Sequence, residues 1–216
     1  MRCDTPVVCI VAGAGYGKTT LARQLDTADD RDFVWLELQR GDDDPVVFMR
    51  LLLDSLGCLM DLEDAADAAR EPHPRSADKV LSALAAAASA HGRPIVLVID
   101  DVELMGSEVA ELLCEVLARL PSDFQTLLLG RTMPRELRLA RRKIQGALEE
   151  FRAEELAFTV EEATSMFERL VPTTDPQWLT DLVDLTMGWP IGLHLAAMAA
   201  REGPVPLSTH EALAGD

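Results

Sequence analysis

Positive charge is what this chain of 216 residues lacks most: 20 lysines and arginines stand against 37 aspartates and glutamates, for a net charge of −17. A surface that acidic repels nucleic-acid phosphates and anionic membranes, so we expect no direct nucleic-acid binding by this segment. Long apolar runs are lacking as well. None approaches the ~20 residues of a membrane span, and no secretory leader is visible before the apolar stretch Val7–Val11. Cysteine is sparse. Cys3, Cys9, Cys58 and Cys114 show none of the paired spacings of metal ligands. Cys9 alternates within an expected strand and Cys114 sits in an apolar helical run. We therefore expect buried free thiols, suited to a reducing cytoplasm. No internal repeat is visible.

What is present is enough for a folded core. Apolar residues make up 48% of the chain, and the length suits one α/β domain with a small appendage. The most informative run is Val7-Val8-Cys9-Ile10-Val11-Ala12-Gly13-Ala14-Gly15-Tyr16-Gly17-Lys18-Thr19-Thr20-Leu21-Ala22. A β-branched stretch passes through glycines into Gly-Lys-Thr and then into a helix-forming sequence, the layout of a phosphate-binding P-loop. Inward-facing backbone N–H groups and the positive end of the following helix suit a polyphosphate. Glycines let the backbone come close to it. The expected binding set is Ala14, Gly15, Tyr16, Gly17, Lys18, Thr19 and Thr20. Lys18 reaches the β- and γ-phosphates, Thr19 ligates Mg²⁺ and Thr20 lies near the α-phosphate. The first position of the pattern, usually glycine, is Ala12, which is tolerable if its φ is not positive.

Strands are expected at Val7–Val11, Phe33–Leu38, Pro94–Asp100, Gln125–Arg131 and Leu148–Phe151. Helices are expected at Lys18–Asp26, from Pro45 to about Leu59 with Asp44 as its cap, at Ser76–Ala90, Ser107–Arg119 and Arg135–Lys143. The acidic, Pro-containing stretch Asp61–Arg75 reads as an exposed connection. From Thr159 onward the pattern is helical only, with breaks near Pro172–Pro176 and Gly188–Pro190. Strands alternating with helices, then helices alone, predict an α/β domain with a five-stranded parallel sheet flanked by helices, followed by a small all-α domain. We place the boundaries at residues 1–155, 156–202 and a frayed tail at 203–216.

Ligands of open α/β sheets sit at the carboxyl ends of strands, where Asp100, Asp101 and Arg131 also fall. Asp100 then holds Mg²⁺, Asp101 orients or deprotonates the attacking water, and Arg131 senses or neutralises the γ-phosphate. Plainer alternatives are a helix cap for Asp100–Asp101 and a surface salt bridge for Arg131. Glu103 reads as surface rather than catalytic. His73, His91 and His210 read as surface or loop residues, and His194 as an ordinary helix residue.

With these motifs in order, the chain resembles the STAND class of P-loop NTPases, and within it the large LuxR-type ATP-dependent transcriptional regulators. The resemblance rests on Ala12–Thr20, Trp35-Leu36 with the acidic turn and Phe48, Val98-Ile99-Asp100-Asp101 and Gly130-Arg131-Thr132-Met133-Pro134. It continues through Leu156–Ala163 and Gly188-Trp189-Pro190-Ile191-Gly192-Leu193, so it covers essentially the whole chain. It implies an ATP/ADP-binding switch module with Mg²⁺ and slow hydrolysis, catalytic roles for Asp101, Arg131 and Lys18, and metal ligation by Thr19 and Asp100. It implies that Pro190 touches the nucleotide from the helical domain. It further implies a cytoplasmic fragment of a longer protein with winged-helix, sensor and DNA-binding domains, and ATP-driven self-association. Two other readings stay open. One is a small-molecule or nucleotide kinase with Arg135, Arg138, Arg141, Arg142 and Lys143 as a lid. The other is a non-hydrolysing ADP-binding interaction module.

Overall fold

The structure, a computed structural model, describes residues 6–70, 76–121, 123–171 and 175–202. Cys3, His73, His210 and the expected tail 203–216 lie outside the described residues. The chain divides into two compact units. One takes the residues up to Val11 together with Thr19–Phe151, and the other takes Ala12–Lys18 together with the residues from Arg152 onward.

The first unit is built on five strands: β1 (Val7–Val11), β2 (Asp32–Glu37), β3 (Ile95–Asp100), β4 (Phe124–Gly130) and β5 (Leu148–Arg152). Their order across the parallel sheet is β2-β3-β4-β1-β5. The β1–β4, β2–β3 and β3–β4 ladders are parallel, with Val11 opposite Gly130 and Glu37 opposite Asp100. Parallel neighbours need long crossovers, and helices supply them: α1 (Lys18–Ala28), α2 (Pro45–Leu56), α3 (Glu63–Arg70), α4 (Ser76–His91), α5 (Ser107–Arg119) and α6 (Leu139–Ile144).

Every residue of β3 is buried, which is why its sequence shows no polar alternation. Ile95, Leu97 and Ile99 join the main core with Phe48 and Leu52 of α2, Leu81 of α4 and Leu113 of α5. Val96 and Val98 face the other way and are buried there, as are Val8, Ile10, Leu127 and Leu129. On that side Leu21 and Leu25 of α1 border a small cavity of about 70 Å³ with Val8, Ile10, Val96 and Leu127.

Local chemistry sets the helix starts. The Asp44 carboxylate accepts from the N–H groups of Val46 (2.7 Å) and Val47 (3.3 Å), and Pro45 opens α2, as the sequence predicts. The stretch after α2 corrects the reading of an exposed connection. Leu62, Ala65 and Ala68 are buried at helical spacing in the main core, while Glu63, Asp64 and Asp67 face solvent. The three-residue apolar period prevails over the acidic composition and makes α3. The expected basic helix over 135–143 is broken, because Arg138 is left-handed (φ 49°) between a 3₁₀ turn at Arg135–Leu137 and α6.

His91 is another correction. It ends α4 with its side chain 13% exposed and its Nε2 2.8 Å from Asp32 Oδ2, and Arg93 pairs with the same carboxylate at 2.8 Å. Cys58 is exposed, contrary to a uniform reading of buried thiols, whereas Cys9 is buried.

The second unit contains α7 (Ala153–Leu156), α8 (Val160–Leu170), α9 (Pro176–Thr186) and α10 (Pro190–Glu202). Its own core gathers Ala163, Phe167, Leu179, Leu182, Val183, Leu193 and Ala197, with Phe167 and Trp178 edge-to-face at 5.8 Å. A reciprocal capping box starts α8. The Thr159 N–H donates to Glu162 Oε2 (2.9 Å) and the Glu162 N–H to Thr159 Oγ1 (3.2 Å). The Thr-x-x-Glu inside the family-like segment thus has a local structural reason.

Burial and the nearby Glu150 carboxylate push the Cys9 thiol up to about 12. Its thiolate fraction at pH 8 is therefore roughly one part in ten thousand. With peptide-mapped alkylation at that pH, Cys58 should label rapidly in the native protein, and Cys9 only on unfolding or well above pH 10.

Candidate functional site

In the first unit, β3, β4 and β1 are adjacent, so their carboxyl ends adjoin. Asp100 closes β3 and is 7% exposed; with Thr126 it is one of two buried polar residues among those described. A buried carboxylate is costly unless donors satisfy it. Thr19 Oγ1 donates to Asp100 Oδ2 at 2.6 Å, and the Asp101 N–H donates to Asp100 Oδ1 at 2.9 Å. Both carboxylate oxygens are thereby held in fixed directions. The Thr19 contact joins residues 81 positions apart, at the first turn of α1 and the end of β3.

Asp101 follows in the left-handed region (φ 56°, ψ 41°) at the start of a 3₁₀ turn, Val102–Leu104. Aspartate tolerates that region better than most side chains. Its side chain makes no capping hydrogen bond there, so the helix-cap alternative is not what its carboxylate does.

Arg131 follows β4, with a side chain 65% exposed. Its backbone N–H donates to Glu103 Oε2 at 3.0 Å, and its Nε lies 3.5 Å from Glu103 Oε1. Glu103 is 18% exposed, so the expectation of a surface residue is corrected. Gly130 makes its room, since a Cβ there would stand 2.9 Å from Glu103 Oε2 and 2.6 Å from Val102 Cγ2. Nothing local in the sequence marks Glu103. Its partner lies 28 residues on and meets it only because β3 and β4 are neighbours.

The loop Ala12–Lys18 belongs to the second unit. Gly15 (φ 76°) and Gly17 (φ 77°) adopt the left-handed conformation that the loop needs. Ala12 is buried and is not among the described residues with positive φ, so alanine fits the first position. Lys18 Nζ donates to the carbonyls of Ala12 (2.9 Å) and Gly13 (3.1 Å), and the Tyr16 ring lies 3.7 Å from where a Gly13 Cβ would stand. Ala14 and Thr20 are exposed and Pro190 opens α10. Two contacts escaped sequence reading. The Trp189 indole N–H donates to the Ala14 carbonyl (2.9 Å), and the Ile191 N–H donates to the Gly15 carbonyl (3.1 Å). His194, on α10, is half-buried.

The donor set suits Mg²⁺. It offers one hydroxyl and one carboxylate, hard oxygen ligands that leave other coordination positions to phosphate and water. No cluster of three or more His, Cys, Asp or Glu able to hold a metal ion by itself exists among the described residues. No helix among them is long and apolar enough to cross a membrane.

Residues 2–129 match the family of AAA ATPase domains. The chain is 33% identical over 198 residues to the HTH-type transcriptional regulator MalT of Serratia proteamaculans, an alignment covering 88% of this chain and 21% of that protein. It is 32% identical over 197 residues to MalT of Cronobacter sakazakii, covering 89% and 22%. The chain thus spans about a fifth of the length of the curated relatives it matches. Among solved structures, its fold is similar to a signal transduction ATPase with numerous domains (STAND) from Pyrococcus horikoshii that carries a tetratricopeptide repeat sensor. There the TM-score is 0.60 and the identity 19%, over 89% of this chain and 27% of that one. Cdc6p of Pyrobaculum aerophilum gives a TM-score of 0.52 at 15% identity, over 91% and 56%. These matches bear out the resemblance to STAND-class P-loop NTPase modules that the motifs carry.

Alanine at position 15 would need a positive φ and would set its Cβ 2.1 Å from Ile191 Cγ2. Gly15→Ala should therefore lower the thermal midpoint of the protein by several degrees, whereas Gly17→Ala, with nothing within 4 Å of the new Cβ, should cost less. Scanning calorimetry of both variants checks the ranking.

Proposed function

The chain belongs to the AAA ATPase domain family, and on that premise we propose that it is the nucleotide-dependent switch of a longer transcriptional regulator, binding ATP or ADP with Mg²⁺ and hydrolysing ATP slowly. The observation that carries this reading is the Thr19–Asp100 hydrogen bond at 2.6 Å. It puts together the two oxygen donors expected to hold Mg²⁺, and Thr19 directly follows the lysine of a loop with two left-handed glycines.

In this reading, Lys18 and the amides of Ala14–Thr20 bind the phosphate chain as a point charge and a set of directed dipoles. Mg²⁺, when bound by Thr19 and Asp100, neutralises charge on the phosphates. Asp101 accepts the proton of the attacking water or orients that water. Arg131 responds to the γ-phosphate, and Glu103 supplies the carboxylate against which its guanidinium rests otherwise. Pro190 contacts the nucleotide from the helical part. Functionally we divide the chain into a nucleotide-binding domain, residues 1–155, and a helical domain, residues 156–202. A γ-phosphate shifts a conformational equilibrium only by contacts that differ between the two states, and Arg131 is the residue we assign to that task.

The coverage of only about a fifth of the regulators it matches supports placing winged-helix, sensor and DNA-binding domains elsewhere in a longer cytoplasmic protein. The net charge of −17 supports the same placement for DNA binding. ATP-driven self-association is part of the proposal.

Calorimetric titration of MgATP and MgADP into the protein tests the site. Micromolar binding is expected, lost in Lys18→Ala; unchanged affinity in that variant would refute the assignment. Asp101→Asn should keep nucleotide affinity within about twofold but slow single-turnover hydrolysis by roughly a hundredfold, the usual weight of a general base.

A further inference from the structure

The segment Gly188-Trp189-Pro190-Ile191-Gly192 does more in this structure than break a helix. Met187 (φ 50°) and Gly188 (φ 69°) are both left-handed and turn the chain from α9 into α10. A Cβ on Gly188 would meet the Phe158 carbonyl oxygen at 2.5 Å, and one on Gly192 would meet the Trp189 ring at 2.7 Å. Gly188 therefore lets the turn lie against the Phe158 backbone, and Gly192 leaves room for the indole to lie against the backbone of α10. From there its N–H reaches the Ala14 carbonyl at 2.9 Å. The Ile191 N–H, one of the unpaired donors at a helix start, reaches the Gly15 carbonyl at 3.1 Å. The Ile191 side chain occupies the space that a Cβ on Gly15 would need.

These two bonds hold consecutive carbonyls of the loop. In a planar trans peptide the C=O and the following N–H point in opposite directions. Fixing the Ala14 carbonyl toward α10 therefore turns the Gly15 N–H away from α10, and fixing the Gly15 carbonyl does the same for the Tyr16 N–H. We propose that Trp189 is a positioning residue for phosphate binding: together with the Ile191 amide it sets the direction of the Gly15 and Tyr16 N–H groups. The assignment rests on the reading of this loop as a nucleotide site. It makes Trp189, rather than Pro190 alone, the residue through which the start of α10 acts on nucleotide affinity.

The test is Trp189→Phe, which keeps an aromatic ring and removes the donor. Two measurements are made on the whole chain: MgADP affinity by calorimetry, and hydrogen exchange of the Ile191 amide by NMR without nucleotide. We expect affinity to fall about three- to tenfold, the size of one lost hydrogen bond, and Ile191 exchange to quicken. Trp178→Phe removes the indole N–H of a ring packed against the core of the same unit and should leave affinity within twofold. A fall in affinity without a matching drop in the nucleotide-free unfolding midpoint separates positioning from general destabilisation. Affinity in Trp189→Phe equal to wild type overturns the proposal, even if exchange quickens. If the wild type binds no MgADP, the nucleotide reading fails on its own account, and Ile191 exchange alone decides whether Trp189 holds the loop; unchanged exchange refutes that too. Should Trp189→Phe not fold, Gly192→Ala displaces the indole with a single methyl group and should give the same loss of affinity.

Discussion

A strand buried on both faces cannot carry polar side chains along its length, so its chemistry has to begin where it ends. That constraint governs β3, in which Ile95–Ile99 supply apolar contacts to both faces of the sheet and Asp100 is the first residue free to be polar. The same constraint holds in β1 and in Leu127–Leu129 of β4, where Thr126 is the one buried polar residue before the strand end among those described, and the order β3-β4-β1 brings their carboxyl ends side by side. In the first unit Asp100 ends β3 with Asp101 after it, Arg131 follows β4, and Thr19 lies in the helix that follows β1. The Asp100 carboxylate is affordable there because two donors satisfy both of its oxygens.

Glycines mark where backbone or side chain must come close. Gly130 admits the Glu103 carboxylate, Gly192 admits the Trp189 ring, and Gly15 combines a left-handed backbone with the Ile191 side chain pressed upon it. These are steric requirements at named contacts, and they account for motif letters that a pattern alone leaves unexplained. The Thr-x-x-Glu that starts α8 is likewise a reciprocal cap, so one of the segments most specific to the family resemblance is conformational in its local chemistry.

Much of this was legible beforehand. The strand positions, the start of α2 at Asp44-Pro45 and the helical second part follow from apolar periodicity and capping residues, which act over a few positions and so leave a mark in the linear chain. Other features were illegible for definite reasons. The acidic composition around α3 masked the spacing of Leu62, Ala65 and Ala68. The polar pairs Glu103–Arg131 and Asp32–His91 join residues from different elements, and no local signal predicts a partner that only a crossover connection delivers.

The sequence by itself determined which residues could carry phosphate chemistry, where each strand ends to within one residue, and that a parallel sheet must be flanked by helices. These outcomes depend on side-chain type and short-range periodicity. Tertiary structure alone decided that Thr19 and Asp100 share a hydrogen bond, that Glu103 stands against Arg131, and that Trp189 and Ile191 hold the carbonyls of Ala14 and Gly15. Such contacts depend on strand order and on the direction in which a helix starts. Many different pairings of the same residues would satisfy the local rules equally well, and only burial of the whole core selects one of them.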